Sequence, residues 1–221
     1  MEAIKIQNAK SKIEITDCDF TSTKGLSIIG VSVSTQSVLL SKVNVRTAFQ
    51  GIYVKKVEKL IIKDTYLHSI KNCQSNNPCG VTVDEVKDLT IDKTMVTESE
   101  GGIKITKSNG IIENSQITKI KSRFTSSYGG GLYLTSSAQI RTKNLDLIGN
   151  SASVGGGFYC GTATLNMVGG KIHQNTASTA GAGQCDSTSC AFFSVGVDFK
   201  DNKPTGSNCR GIPISNKLQK I

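Results

Sequence analysis

The chain has no tryptophan, only three prolines, and aromatic side chains at just 5% of its positions. A core built on large rings is therefore excluded, and branched aliphatics must fill whatever interior exists. No apolar run approaches the roughly 20 residues that span a bilayer as a helix, so no membrane span is expected. No segment carries the 3.6-residue periodicity of a long amphipathic helix. Met1-Glu-Ala-Ile-Lys-Ile6 lacks an apolar signal core, so export is either not encoded in these residues or its leader has been removed.

A dense basic patch is missing as well. The net charge is +9, but residues 1–125 hold 18 basic and 13 acidic side chains and residues 126–221 hold 8 and 4. The excess is spread evenly and has no interleaved aromatics, which excludes a nucleic-acid interface and leaves attraction to anionic polysaccharide or a cell surface open. The seven cysteines lack four ligands at CxxC-like spacing, and His68 and His173 stand far apart, so no metal or other cofactor is expected. This many cysteines points instead to an oxidising compartment, extracellular or at the cell surface.

What is present is repetition. The stretch Leu147-Ile-Gly-Asn-Ser-Ala-Ser-Val-Gly-Gly-Gly-Phe-Tyr159 nearly recurs from Ile172-His-Gln-Asn-Thr-Ala onward. A wider template, apolar residues at i, i+2 and i+7, fits eight times. It runs Ile13/Ile15/Phe20, Val38/Leu40/Val45, Leu60/Ile62/Leu67, Leu89/Ile91/Val96, Gly110/Ile112/Ile117, Ile140/Thr142/Leu147, Leu165/Met167/Ile172 and Phe192/Ser194/Phe199. Before most copies stands Gly-φ-x-φ (φ apolar), as in Gly51-Ile-Tyr-Val54 and Gly102-Ile-Lys-Ile105, and Gly211-Ile-Pro-Ile214 opens a ninth.

Each unit thus supplies three very short strands, which are stable only when paired with their equivalents in neighbouring units. The closing apolar residue recurs every 21 to 30 positions. That is too short for a propeller blade and lacks a leucine-rich frame. The pattern predicts an all-β chain forming a single right-handed parallel β-helix over residues 1–221, with eight to nine coils. In that register Asn150, Asn175 and Asn202 form a ladder at one turn. Asp17, Lys42, Asp64, Lys93, Asn114 and Asn144 form a second column, read either as an acid–base alternation or as chance on a charged surface.

The G-N-S-A, Q-N-T-A and F-x-x-N repeats over about residues 130–205 resemble the chlamydial polymorphic outer membrane proteins and similar surface proteins of protists. Phe199-Lys-Asp-Asn202 keeps F-x-x-N, while Leu147 and Ile172 replace Phe in the other two copies. The resemblance implies a pectin-lyase-like β-helix exposed at a surface, with a structural or adhesive role. The same fold hosts polysaccharide lyases and hydrolases, which need converging carboxylates. The candidates Asp17 and Asp64 alternate with Lys42, and Asp198 and Asp201 flank a turn, so a non-catalytic scaffold is the expectation. A carbohydrate-binding or carbohydrate-cleaving β-helix is the alternative. Tyr53, Tyr133 and Tyr159 face outward on one sheet, with Tyr133 and Tyr159 on neighbouring coils. His68 and His173 share a corner register four coils apart.

Cys73 and Cys79 close a short polar loop and are expected to pair. Two schemes remain for Cys160, Cys185, Cys190 and Cys209. In one, Cys160 stacks on and bonds Cys185 while Cys190 pairs with Cys209; in the other, Cys185 and Cys190 close a local loop. Cys18 reads as a buried thiol. Neither end shows a capping helix, which suggests a segment of a longer polypeptide or copies stacked head to tail as a filament. The expected partners are therefore other chains or copies of itself. A soluble monomer over a wide concentration range in light scattering would refute the uncapped-end expectation.

Overall fold

A computed structural model describes residues 4–9, 11–21, 25–30, 37–71, 79–122, 125–186, 189–205 and 209. All regular elements among them are strands, and all but one pair join a single 18-stranded parallel sheet system. The chain coils so that each strand pairs with its equivalent one turn away: a parallel β-helix of eight stacked rungs, about seven turns. The ninth unit at Gly211 lies outside the described residues.

The template positions stack as the register requires. The closing residues form one unbroken column, Phe20↔Val45↔Leu67↔Val96↔Ile117↔Leu147↔Ile172↔Phe199. The i+2 residues form another, Ile15↔Leu40↔Ile62↔Ile91↔Ile112↔Thr142↔Met167↔Ser194. These columns point inward, and the side chains from Leu40 to Ile172 along them are almost entirely buried. The interior is thus a stack of aliphatics about one side chain thick from each wall, stabilised by roughly 1.5–3 kcal/mol per fully buried Val, Leu or Ile. Cys18 lies on the first rung under Val43 and is half-exposed rather than buried, because it is covered from one side.

Strands are longer than three or four residues wherever the hydrogen-bond ladder runs through a corner. Ile52–Lys63, Val81–Asp92, Ala138–Ile148 and Ala163–His173 each turn a corner without breaking. The bends fall on left-handed residues, Lys56, Glu85 and Asn144 in the first three and Gly169-Gly170 in the fourth, and a second corner is made the same way. The column Asp17, Lys42, Asp64, Lys93, Asn114, Asn144 has φ of 47–52° throughout and continues through Gly169 and Gly196. Backbone conformation therefore sets this column, which explains its Asp, Asn and Gly content. Charge alternation is secondary: Lys42 reaches Asp17 at 3.4 Å, but Asp64 sits beside Lys63 of its own coil.

The glycine of Gly-φ-x-φ has a different cause. Its carbonyl accepts a hydrogen bond from the coil below, as in Ile52 N–H to Gly80 O and Ile103 N–H to Gly131 O. A Cβ on Gly51, Gly102 or Gly157 would run into the carbonyl oxygen of Gly80, Gly131 or Ala182 respectively, one coil above. Close backbone approach, not φ, demands glycine there. Gly183 makes room for a ring instead: its missing side chain is the space filled by Phe158, which also packs on Phe192 at 4.9 Å.

At the next corner the column reads Ala48, Ile70, Ser99, Ile120, Asn150, Asn175, Asn202, and its three amides are buried. Asn150 Oδ1 accepts Ile120 N–H at 3.0 Å, Asn175 Oδ1 accepts Asn150 N–H at 2.9 Å, and Asn202 Oδ1 accepts Asn175 N–H at 3.0 Å. Each Nδ2 donates to the carbonyl of a closing residue, Ile117, Leu147 or Ile172, at 2.7–2.8 Å. The hydroxyl and alanine after Asn150 and Asn175 start a small extra strand, Ser151–Val154 on Thr176–Thr179.

Two consequences are measurable by urea denaturation. Asn175→Ala strands the Asn150 N–H and the Leu147 carbonyl inside the wall and should cost about 2–4 kcal/mol. Gly102→Ala should cost about 1–3 kcal/mol through the forced separation of two rungs. A loss under about 0.5 kcal/mol in either variant would contradict these roles.

Candidate functional site

The best-furnished surface is the outer face of the Gly-φ-x-φ wall. Its outward column is Lys5, Ser27, Tyr53, Thr82, Lys104, Tyr133, Tyr159, Gln184. The alternation of a strand sends these side chains out while the residues on either side fill the core. Parallel in-register pairing then brings Tyr133 and Tyr159 into a stack, with centroids 5.3 Å apart and planes at 12°. Tyr128 packs edge-on against Tyr159 at 5.1 Å. Lys104 Nζ lies 5.6 Å from the Tyr133 ring centre, a cation–π contact on the free face of the stack.

The electrostatics follow from half-burial. Desolvation lowers the Lys104 pKa, partly offset by the Asp84 carboxylate. Desolvation also raises the Tyr53, Tyr133 and Tyr159 phenols, so all three stay protonated and able to donate near neutral pH. No carboxylate lies within ion-pair distance of Lys104 among the described residues. Asp84 instead takes Lys55 at 2.7 Å, and this bond holds the Lys55 ammonium above its ordinary pKa. The face thus offers an aromatic stack, one half-buried ammonium over it, and the side chain of Thr82 on an adjacent strand.

Beside it, the corner joining two walls shows a pattern that sequence reading missed. Lys55-Lys-Val-Glu-Lys59 of the third coil lies under Asp84-Glu-Val-Lys-Asp88 of the fourth, with every charge inverted. Lys55–Asp84, Glu58–Lys87 and Lys59–Asp88 bond at 2.7, 3.0 and 3.4 Å. The signal lay in comparing equivalent five-residue windows rather than single columns. Only one register brings all three pairs together, so the corner locks the third coil on the fourth.

The candidate carboxylates are not brought together. Asp17 and Asp64 lie two coils apart at left-handed corners, and Asp201 occupies another such corner. Asp198 holds His173 at 2.8 Å, while His68 is bound to Glu98 at 3.0 Å, so both histidines are hydrogen-bonded to a carboxylate at a corner. Glu98 also accepts from Lys119 at 3.1 Å; these bonds, that of Lys119 foremost, lower its pKa.

The disulfides differ from both sequence-based schemes. Cys160 bonds Cys190, with Cα atoms 5.7 Å apart, and Cys185 bonds Cys209 at 4.5 Å. Cys160 and Cys185 are in-register neighbours whose sulfurs lie within 4.8 Å of each other, yet each bonds a different cysteine. Cys190 sits over Ala163, one coil on from Cys160 and just past the corner. The local Cys185–Cys190 loop is likewise replaced. Cys79 is disulfide-bonded, and its expected partner Cys73 lies outside the described residues.

Compared with protein families, curated proteins and solved structures, the chain matches none.

A double-mutant cycle tests the charge lock. Coupling of about 1 kcal/mol is expected for the partly buried Lys55–Asp84 pair and under about 0.5 kcal/mol for the exposed Lys59–Asp88 pair. Equal coupling in the two pairs, read from urea midpoints, would contradict the assignment.

Proposed function

We propose that this protein is a non-catalytic structural or adhesive scaffold of the extracellular space or cell surface. The observation that carries the reading is the pair of disulfides at the last described coils, of which Cys160–Cys190 ties the seventh coil to the eighth. They point to an oxidising environment outside the cytoplasm. They also add covalent ties along the axis in which a solenoid unwinds, since each coil otherwise contacts only its neighbours. A rod held this way suits the presentation of a surface under load. The pectin-lyase-like character and the surface-protein resemblance of the repeats remain part of this proposal.

The tyrosine face favours a second reading, contact with an anionic polysaccharide. Lys104, which has no ion-pair partner among the described residues, supplies a cation for a carboxylate or sulfate, and the tyrosine hydroxyls suit sugar hydroxyls. Successive outward residues recur at the rung spacing of about 4.8 Å, so an extended chain of sugars lying along the axis meets one outward residue per rung.

Incubation with a panel of neutral and acidic polysaccharides, scoring binding and product release separately, tests both readings. Under the scaffold reading no products are released. Under the second, acidic chains bind, and both Lys104→Gln and Tyr133→Ala weaken binding several-fold while leaving the urea midpoint within about 0.5 kcal/mol. Release of oligosaccharide products would sink the non-catalytic proposal, and binding unaffected by either variant would sink the tyrosine face as the contact surface.

A further inference from the structure

The cysteines of the last described coils form a sulfur cluster, not two isolated bridges. The Sγ atoms of Cys160, Cys185 and Cys190 all lie within 4.8 Å of one another, and Cys209 Sγ is bonded to Cys185. Burial is unequal across the cluster: Cys160 and Cys185 are buried, while Cys190 and Cys209 are partly exposed. The arrangement arises because the third residue after the glycine position is Cys in two successive coils, stacking Cys160 on Cys185, while their partners approach from the adjoining corner.

We propose that this cluster is a thiol–disulfide exchange site that takes an incoming thiol at Cys209 and passes the opening inward to Cys190. In the first step an external thiolate attacks the partly exposed Cys209 sulfur. The Cys185–Cys209 bond breaks, a mixed disulfide forms on Cys209, and Cys185 leaves as the thiolate. In the second step Cys185 attacks Cys160 Sγ, the Cys160–Cys190 bond breaks, and a Cys160–Cys185 bond forms between in-register neighbours. One rung of separation lies within the Cα range of about 4.4–6.8 Å that a disulfide accepts.

The direction of the second step follows from solvation. Attack on Cys160 expels the partly exposed Cys190, whose thiolate is stabilised by water. Attack on Cys190 would expel a buried thiolate at Cys160, which apolar surroundings disfavour. The proton lost by the incoming thiol ends on Cys190. Two disulfides are present before and after, so the relay needs no oxidant or reductant beyond the thiol itself. One coil-to-coil tie survives throughout, and the protein emerges covalently joined to a thiol-bearing partner with a second reactive thiol exposed at Cys190.

Limited exposure of the native protein to glutathione, quenching with an alkylating agent and non-reducing peptide mapping tests the proposal. The expected major product carries glutathione on Cys209, an alkyl group on Cys190 and a Cys160–Cys185 linked peptide. Alkylation of Cys185 with Cys160–Cys190 intact would overturn the relay, as would failure of glutathione to open either bridge under native conditions. The Cys209→Ser variant gives an independent reading without added thiol. Cys185 then has no partner of its own, and the majority species should show the Cys160–Cys185 link with Cys190 alkylated. A majority with Cys185 alkylated would count against the relay in that variant too.

Discussion

The whole structure depends on one constraint: equivalent residues of successive coils must sit directly over one another at the spacing of a parallel β-ladder. No strand here could persist alone, so each coil is stable only through its neighbours. Once that spacing is imposed, the chain at every corner must turn within one or two residues and carbonyls must approach backbone from the adjacent coil. Left-handed corner residues and the glycine column are both consequences. They look alike in sequence, yet one answers to φ and the other to the volume of a Cβ.

Three devices hold the register, and they are distributed along the rod. In the third and fourth coils, inverted charges at one corner select a single alignment. From the sixth coil onward, buried asparagines satisfy backbone groups above and below. Two disulfides lie at the last described coils, and Cys79, just before the fourth coil's Gly80, is disulfide-bonded too. The charges act through solvent and are individually weak. The amides act inside the wall, where an unsatisfied partner is costly, and the disulfides add covalent constraint.

A repeating backbone also repeats its outer surface, so a ligand site on such a protein is a departure from the repeat. The tyrosine stack is one departure, since only in the sixth and seventh coils do tyrosines occupy this outward column on successive rungs. The sulfur cluster is the other. Both sit on or beside the Gly-φ-x-φ wall, where the strands are held most tightly by the glycine carbonyls, and a rigid support is what a functional constellation requires.

The amino-acid sequence by itself determined the coil. The spacing of Ile13, Ile15 and Phe20 and of their seven equivalents states which residues face inward, because side-chain alternation and one short corner leave no other assignment. It also placed Asn150, Asn175 and Asn202 in one column, since stacking is periodic and equivalent residues can be aligned by eye. The tertiary structure alone decided what neighbouring columns do to each other. It showed that Cys160 bonds Cys190 rather than the Cys185 stacked upon it, although all three sulfurs lie within 4.8 Å of one another. It showed Lys55 to Lys59 matched against Asp84 to Asp88, because that match spans a corner and involves several columns at once. Periodicity in one dimension is written in the chain; the direction in which a side chain leans across a corner is set by packing from both adjoining walls.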